Sequence, residues 1–259
     1  MAEGRVPTDH GAEIERRLAD LVDAHDDHLP SRVSPILDDR WYGELLVGSY
    51  ASVADEPTAE TALSGAVAVE LLREYCHRRG NLLGHLSDDD LGAGERTASL
   101  LAGDFLFSAA YSELLAVEDS RCRDCVETML DASKRIVETF ADDATAQSAR
   151  SVIEDTAGAL GGSAAAVGAT IGGIDDRSRD RLEALGRNLA AGRAARWTLA
   201  LDADCGLAWH VDHHGLARYA EERLALADRQ CRALAPLAET ARLRPSFEAI
   251  EDGPTGTRP

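Results

Sequence analysis

Almost every apolar pattern in this chain repeats at helical spacing, and no period-two alternation persists long enough to make a strand. From Gly11 to Asp26 the apolar residues Ile14, Leu18, Leu21 and Val22 fall on one stripe. Similar patterns predict helices over Ile36–Val53, Thr58–His77, Thr97–Val117, Arg121–Phe140, Arg177–Leu201 and Leu216–Glu239. Two segments stand out for small apolar residues, Ala98–Ala110 and the second half of Ala144–Gly172. Such helices let neighbouring backbones approach closely and read as buried. Pro30, Pro35, Asp55-Glu-Pro57, the stretch Gly80–Gly94 and Asp142-Asp143 supply the breaks. The expectation is one all-α bundle, with a single domain over residues 1–245 and a flexible Pro- and Gly-rich tail over 246–259.

Charge narrows the class further. With 27 basic and 46 acidic residues the net charge is −19, and Lys134 is the single lysine. That balance points to a protein adapted to concentrated salt, where repulsion among surface carboxylates is screened over about 3 Å. It argues against nucleic acid or an anionic membrane surface as a partner. No run approaches the length of a membrane span, and residues 1–20 lack an apolar leader, so the expected compartment is the cytoplasm. Five cysteines are then expected to stay reduced.

The segment Ala98-Ser-Leu-Leu-Ala-Gly-Asp-Phe-Leu-Phe-Ser-Ala-Ala-Tyr111 resembles the helix after the first metal motif in trans-prenyl diphosphate synthases, where "ILAGDyLfaxA" recurs. Ala66-Val-Ala-Val-Glu-Leu-Leu72 is similar to that family's "AAVELIH", and Leu185-Gly-Arg-Asn-Leu-Ala190 to its "yGrnLGlAFQ". The resemblance spans about residues 12–245 and implies an isoprenoid-synthase-type helical bundle around a central cavity. In the family, two aspartate-rich motifs hold Mg²⁺ across that cavity, and the metal assists departure of an allylic diphosphate. Basic residues hold isopentenyl diphosphate.

The residues at the matching positions carry different chemistry. Asp39-Arg-Trp-Tyr-Gly-Glu44 stands at the first basic motif and keeps only Arg40. The first aspartate-rich motif falls on Gly80, Asn81 and Gly84 beside Arg78 and Arg79. Asp88, Asp89 and Asp90 come later, in an acidic loop. At the family's Lys-Thr pair, Thr156 remains but Glu154 and Asp155 replace the lysine. The second aspartate-rich motif lands on or near Trp197, Thr198 and Leu201, preceded by Arg193 and Arg196, with Asp202 and Asp204 just beyond. Arg40, Arg78, Arg79, Arg193 and Arg196 are expected to pair with carboxylates of the chain, and Trp41 and Tyr42 to be core or interface aromatics. The set Glu70, Glu74 and His77 shares one helix face, where an ion-paired network is the plainer reading and a transition-metal site the sharper one.

Two further clusters are weighed against plainer readings. Cys122-Arg-Asp-Cys125 is an isolated C-x-x-C with no second pair, and Cys205, His210, Asp212, His213 and His214 read as a connector between helices. No Gly-rich phosphate loop and no nucleophile–base motif occurs. The resemblance therefore implies a divergent, non-catalytic homologue with no catalytic residue and no cofactor. It would act in isoprenoid metabolism as a homodimer, as a partner of an active prenyl synthase, or as an isoprenoid binder. Arg40 and Thr156 are the candidate substrate-binding remnants. The alternative is a prenyltransferase joining isopentenyl and allylic diphosphates through an altered Mg²⁺ site built from Asp88, Asp89, Asp90, Asp202 and Asp204.

Overall fold

The least polar segment becomes the middle of the molecule. Helix α7 (Ala159–Gly172) has no charged residue, and every side chain from Ala159 to Ile171 is buried. A helix apolar all round belongs inside, and α7 packs against four neighbours, α2 (Trp41–Val53), α3 (Ala59–His85), α5 (Cys122–Ala141) and α8 (Asp176–Ala200). The structure, a computed structural model, describes residues 10–23, 40–85, 92–117, 121–141, 147–200 and 212–251. The remaining described helices are α1 (His10–Asp23), α4 (Ala93–Leu115), α6 (Ala149–Ile153), α9 (His213–Leu234) and α10 (Arg244–Glu251). No β-strand occurs among the described residues.

Small residues set the interhelical distances. A methyl group on Gly161 or Gly186 would collide with the facing helix where α7 crosses α8, and one on Gly168 would meet the Leu46 carbonyl of α2. Backbones thus touch where the sequence offers glycine, which accounts for a core built from alanine and leucine with few aromatics. Around this centre α9 packs on α8, α4 on α3, and α1 lies across α2 and α3.

Helix ends are fixed by local chemistry. Asp212 accepts a bond from the Gly215 amide (3.1 Å) and Ser148 from the Ser151 amide (3.2 Å), each capping a helix start. Gly173 takes φ of 82°, a left-handed cap that ends α7, and the Arg121 guanidinium donates to the Ile171 carbonyl there (2.9 Å).

Three expectations are corrected. The stretch after His77 is not a loop from Gly80: α3 runs on to His85, because Leu82 is buried and Phe140 packs beside Gly80. Residues 246–251 are not a tail but the greater part of α10; Leu243, Phe247 and Ile250 give it one apolar side against the core, and Pro245 sits in its first turn. Residues 252–259 lie outside the described residues. The helix expected over Ala144–Gly172 is α6 and α7 joined by a π-helical turn, Glu154–Gly158.

Candidate functional site

The start of α2 is where the sequence-matched segments converge. Its N-cap residue, Arg40, makes no side-chain cap, and the missing acceptor comes from α3. Glu70, fully buried, takes the Gly43 amide on Oε1 (2.7 Å) and faces Arg73 through Oε2 (3.3 Å). One carboxylate thereby satisfies an orphan amide and meets the positive end of the α2 dipole. Gly43 permits the approach: a methyl there would press on Ile14, the Ala66 carbonyl and Glu70 itself. One turn on, buried Glu74 accepts from Arg78 (2.7 Å), while the more exposed His77 lies 4.0 Å away. Glu70 and Glu74 are thus committed to internal ion pairs rather than aimed at a shared ion.

Next to this cap, the segments matched to the first basic motif and the second aspartate-rich motif come together as an aromatic stack. The Arg193 guanidinium carbon lies 4.1 Å from the Trp197 ring centre and 4.9 Å from that of Trp41. Arg193 is 6% exposed and Trp41 1%. Trp41 meets Tyr42 edge to face (5.0 Å) and donates its indole N–H to the Ser246 carbonyl of α10 (3.0 Å). A guanidinium between two indole faces in a desolvated place is a favourable cation–π arrangement. The stack presents a cation and ring faces, not the oxygen ligands that Mg²⁺ takes. Among the described residues no group of three or more His, Cys, Asp or Glu is placed to hold a metal, so the described residues do not fit Mg²⁺.

A second polar centre surrounds the π-turn. Arg223 of α9 donates to both oxygens of Glu154 (3.0 Å each) and to Asn188 Oδ1 (3.1 Å). Asn188 in turn donates to Gln230 (3.0 Å). The Tyr219 ring sits between Arg150 (4.8 Å) and Arg223 (4.9 Å), and its hydroxyl lies 3.5 Å from Glu154. Burial, and then the charge of Glu154, push the Tyr219 phenol up to about 12, against the opposing pull of Arg223 and Arg150. Sequence reasoning missed this network, because Tyr219 and Arg223 look like any i, i+4 pair on an amphipathic helix.

The predicted site residues separate accordingly. Arg40 pairs with Glu15 of α1 (3.6 Å) and Arg78 with Glu74, as expected of ion-paired arginines. Arg193 lies over the tryptophan rings, and Arg196 donates to the Ile250 carbonyl (3.4 Å). Thr156 donates its hydroxyl to the Val152 carbonyl one turn back (2.6 Å), inside its own helix. Asp88, Asp89, Asp90, Asp202 and Asp204 lie outside the described residues, as do Cys205 and His210. Cys122 points its thiol to the Leu114 carbonyl (3.4 Å), and Cys125 is buried. Asp212 is used as the α9 cap, and His213 and His214 are exposed in its first turn.

Comparison with solved structures gives the fold a name. A polyprenyl synthetase from Streptomyces coelicolor A3(2) is 19% identical and superposes with a TM-score of 0.64, covering 93% of this chain and 97% of its own. The chain has the trans-prenyl synthase fold. A geranylgeranyl pyrophosphate synthetase from Pyrococcus horikoshii Ot3 is 19% identical, with a TM-score of 0.61 and coverage of 95% and 91%. The geranyltransferase from Helicobacter pylori, in complex with magnesium and isoprenyl diphosphate, is 12% identical, with a TM-score of 0.68 and coverage of 96% and 100%. No protein-family model matches the chain, and no curated protein sequence matches it. This prenyl-synthase-like bundle thus shares an architecture with those enzymes. No described helix is long and apolar enough to cross a membrane.

Proposed function

We propose that this protein is a non-catalytic member of the prenyl-synthase fold that works by pairing, either with a second copy or with an active prenyl synthase. The observation that carries the reading is the stack of Arg193 between Trp41 and Trp197. Ionisation of an allylic diphosphate needs neutralisation of the leaving group, and each 1.4 kcal/mol of lost transition-state stabilisation is about tenfold in rate. Replacing carboxylate ligands and the diphosphate-binding lysine with Trp, Arg and Glu removes several such contributions together. Arg40 and Thr156 are read as vestiges of substrate binding, with an isoprenoid chain as the ligand class the resemblance suggests. The setting is a salt-rich cytoplasm, in keeping with the charge of −19.

Surface chemistry supports pairing. Of the six exposed large apolar side chains among the described residues, five lie on α4 and α5: Leu100, Leu101, Leu115, Leu130 and Val137. Ser108, Ser112 and Thr128 on the same helices turn their hydroxyls back to their own backbone carbonyls. A face that is apolar and leaves few hydroxyls wanting partners suits burial against another protein.

The test is a mixing experiment. Purified protein in high salt with Mg²⁺ is added to the active prenyl synthase of the same cell, and rate and product chain length are followed with labelled isopentenyl diphosphate. The reading expects a changed rate or chain length, and co-elution that Leu101→Asp or Leu115→Asp abolishes. An unchanged enzyme together with a strictly monomeric protein overturns it.

A further inference from the structure

The chain after α9 retraces α2 from end to start. The Glu239 amide donates to the Ser52 carbonyl (2.7 Å), the Arg242 carbonyl lies against Gly48, and the Ser246 carbonyl receives the Trp41 indole N–H. The last described stretch, α10, packs on α2 and on the preceding 3₁₀ turn Thr240–Leu243. Its apolar side is short: Phe247 and Ile250, with Leu243 just before. Its polar attachment is specific. Trp41 and Arg196 donate to the carbonyls of Ser246 and Ile250, four residues and so about one helical turn apart. The Ile250 carbonyl is among the last four of the helix and has no partner within it, so a guanidinium there satisfies an orphan acceptor and meets the negative end of the dipole. These two donors come from the segments that build the Trp–Arg–Trp stack.

From this geometry we infer that α10 is a displaceable strap, which closes the bundle over Trp41 and comes off without unfolding the rest. An eight-residue helix does not persist alone in water. Among the described residues its hold comprises two donor–carbonyl bonds, the buried Ser246 and the apolar Phe247 and Ile250 with Leu243 just before, against the continuous packing that fixes α7 and α8. Segments with few buried contacts open at lower free energy than the core. Release uncovers Trp41, the residue on which Arg193 rests, so the strap sets access to the place where α2 and α8 meet. This inference stands whether or not the protein is an enzyme.

Hydrogen–deuterium exchange on the full chain tests it. In the unaltered protein the α10 amides exchange at least about tenfold faster than those of α7. Arg196→Gln, which leaves Arg193, Trp41 and Trp197 in place, speeds α10 exchange about fivefold, and Phe247→Ala does likewise by removing one apolar contact of α10 alone. Both together give about 25-fold, with α7 and α8 unchanged. Acrylamide quenching of tryptophan rises in Arg196→Gln as Trp41 is uncovered. If α10 amides exchange only as slowly as α7 in the unaltered protein, the strap is integral core and the inference fails. It fails equally if the variants speed α7 and α8 as much as α10, or if faster α10 exchange leaves tryptophan quenching unmoved.

Discussion

Arg193→Met separates the stack from mere filling of space. The side chain is 6% exposed, so the substitution keeps most of the buried volume and deletes the charge and the planar guanidinium. Two ring faces lie within 4.9 Å of that guanidinium. A cation–π contact is worth about 0.5–1 kcal/mol at the surface and about 2 when desolvated, so two shared faces contribute about 2–3 kcal/mol. Removing a buried charge also relieves a desolvation cost, and such replacements are sometimes neutral. The expected net loss is therefore about 2 kcal/mol, or a fall in Tm of roughly 4–8 °C for a chain of this size. Arg193→Ala adds a cavity and costs about 2 kcal/mol more. The assay is urea unfolding in high salt followed by far-UV circular dichroism, with Arg218→Gln, an exposed pair on α9, as the surface control. A Met variant as stable as the parent, with Ala equally so, refutes the claim that the stack holds α2 to α8.

Three other outcomes follow from the same structure. Glu70→Ala strips the cap from α2 and leaves Gly43 and Arg73 facing a hole, costing about 3 kcal/mol, whereas Glu70→Gln keeps an oxygen for the Gly43 amide and costs less than half as much; urea midpoints distinguish them. Tyr219 is held neutral in the fold, its phenol raised from 10.0 to about 12, so its contribution is complete below pH 10 and is lost as pH rises towards 12. Stability measured across that window falls, and Tyr219→Phe flattens the fall. A chain of net charge −19 whose ion pairs are mostly exposed gains stability with added salt, so Tm rises between about 0.1 and 2 M KCl; a flat or falling Tm contradicts the salt-rich reading.

What the sequence made legible was the packing, because packing leaves a periodic trace. The small-residue run ending at Gly172 read as a helix allowing close approach, and it is the central helix, touching α2 and α8 through Gly168, Gly161 and Gly186. The Ala66–Leu72, Ala98–Tyr111 and Leu185–Ala190 segments carried the resemblance that names the fold, although identity to the three solved structures named above is only 12–19%. The site was legible only as a set of absences. That Trp41 would be buried was readable from its surroundings, but that Arg193 would lie over two indole rings was not, since the two tryptophans stand far apart in the chain. Pro and Gly in the last residues masked α10, whose two large apolar residues, Phe247 and Ile250, are too few to register as a period. The π-turn was equally silent, because one inserted residue leaves the local apolar pattern intact.

The central claim, that this fold has exchanged its diphosphate chemistry for internal contacts, is tested most directly by assaying the protein alone. Purified protein in high salt with Mg²⁺ is incubated with labelled isopentenyl diphosphate and each short allylic diphosphate in turn, and extracted products are counted. The account predicts no product above a no-protein control with any allylic partner. Product formed by the protein alone, lost on adding a chelator, would contradict it and direct attention to Asp88, Asp89, Asp90, Asp202 and Asp204.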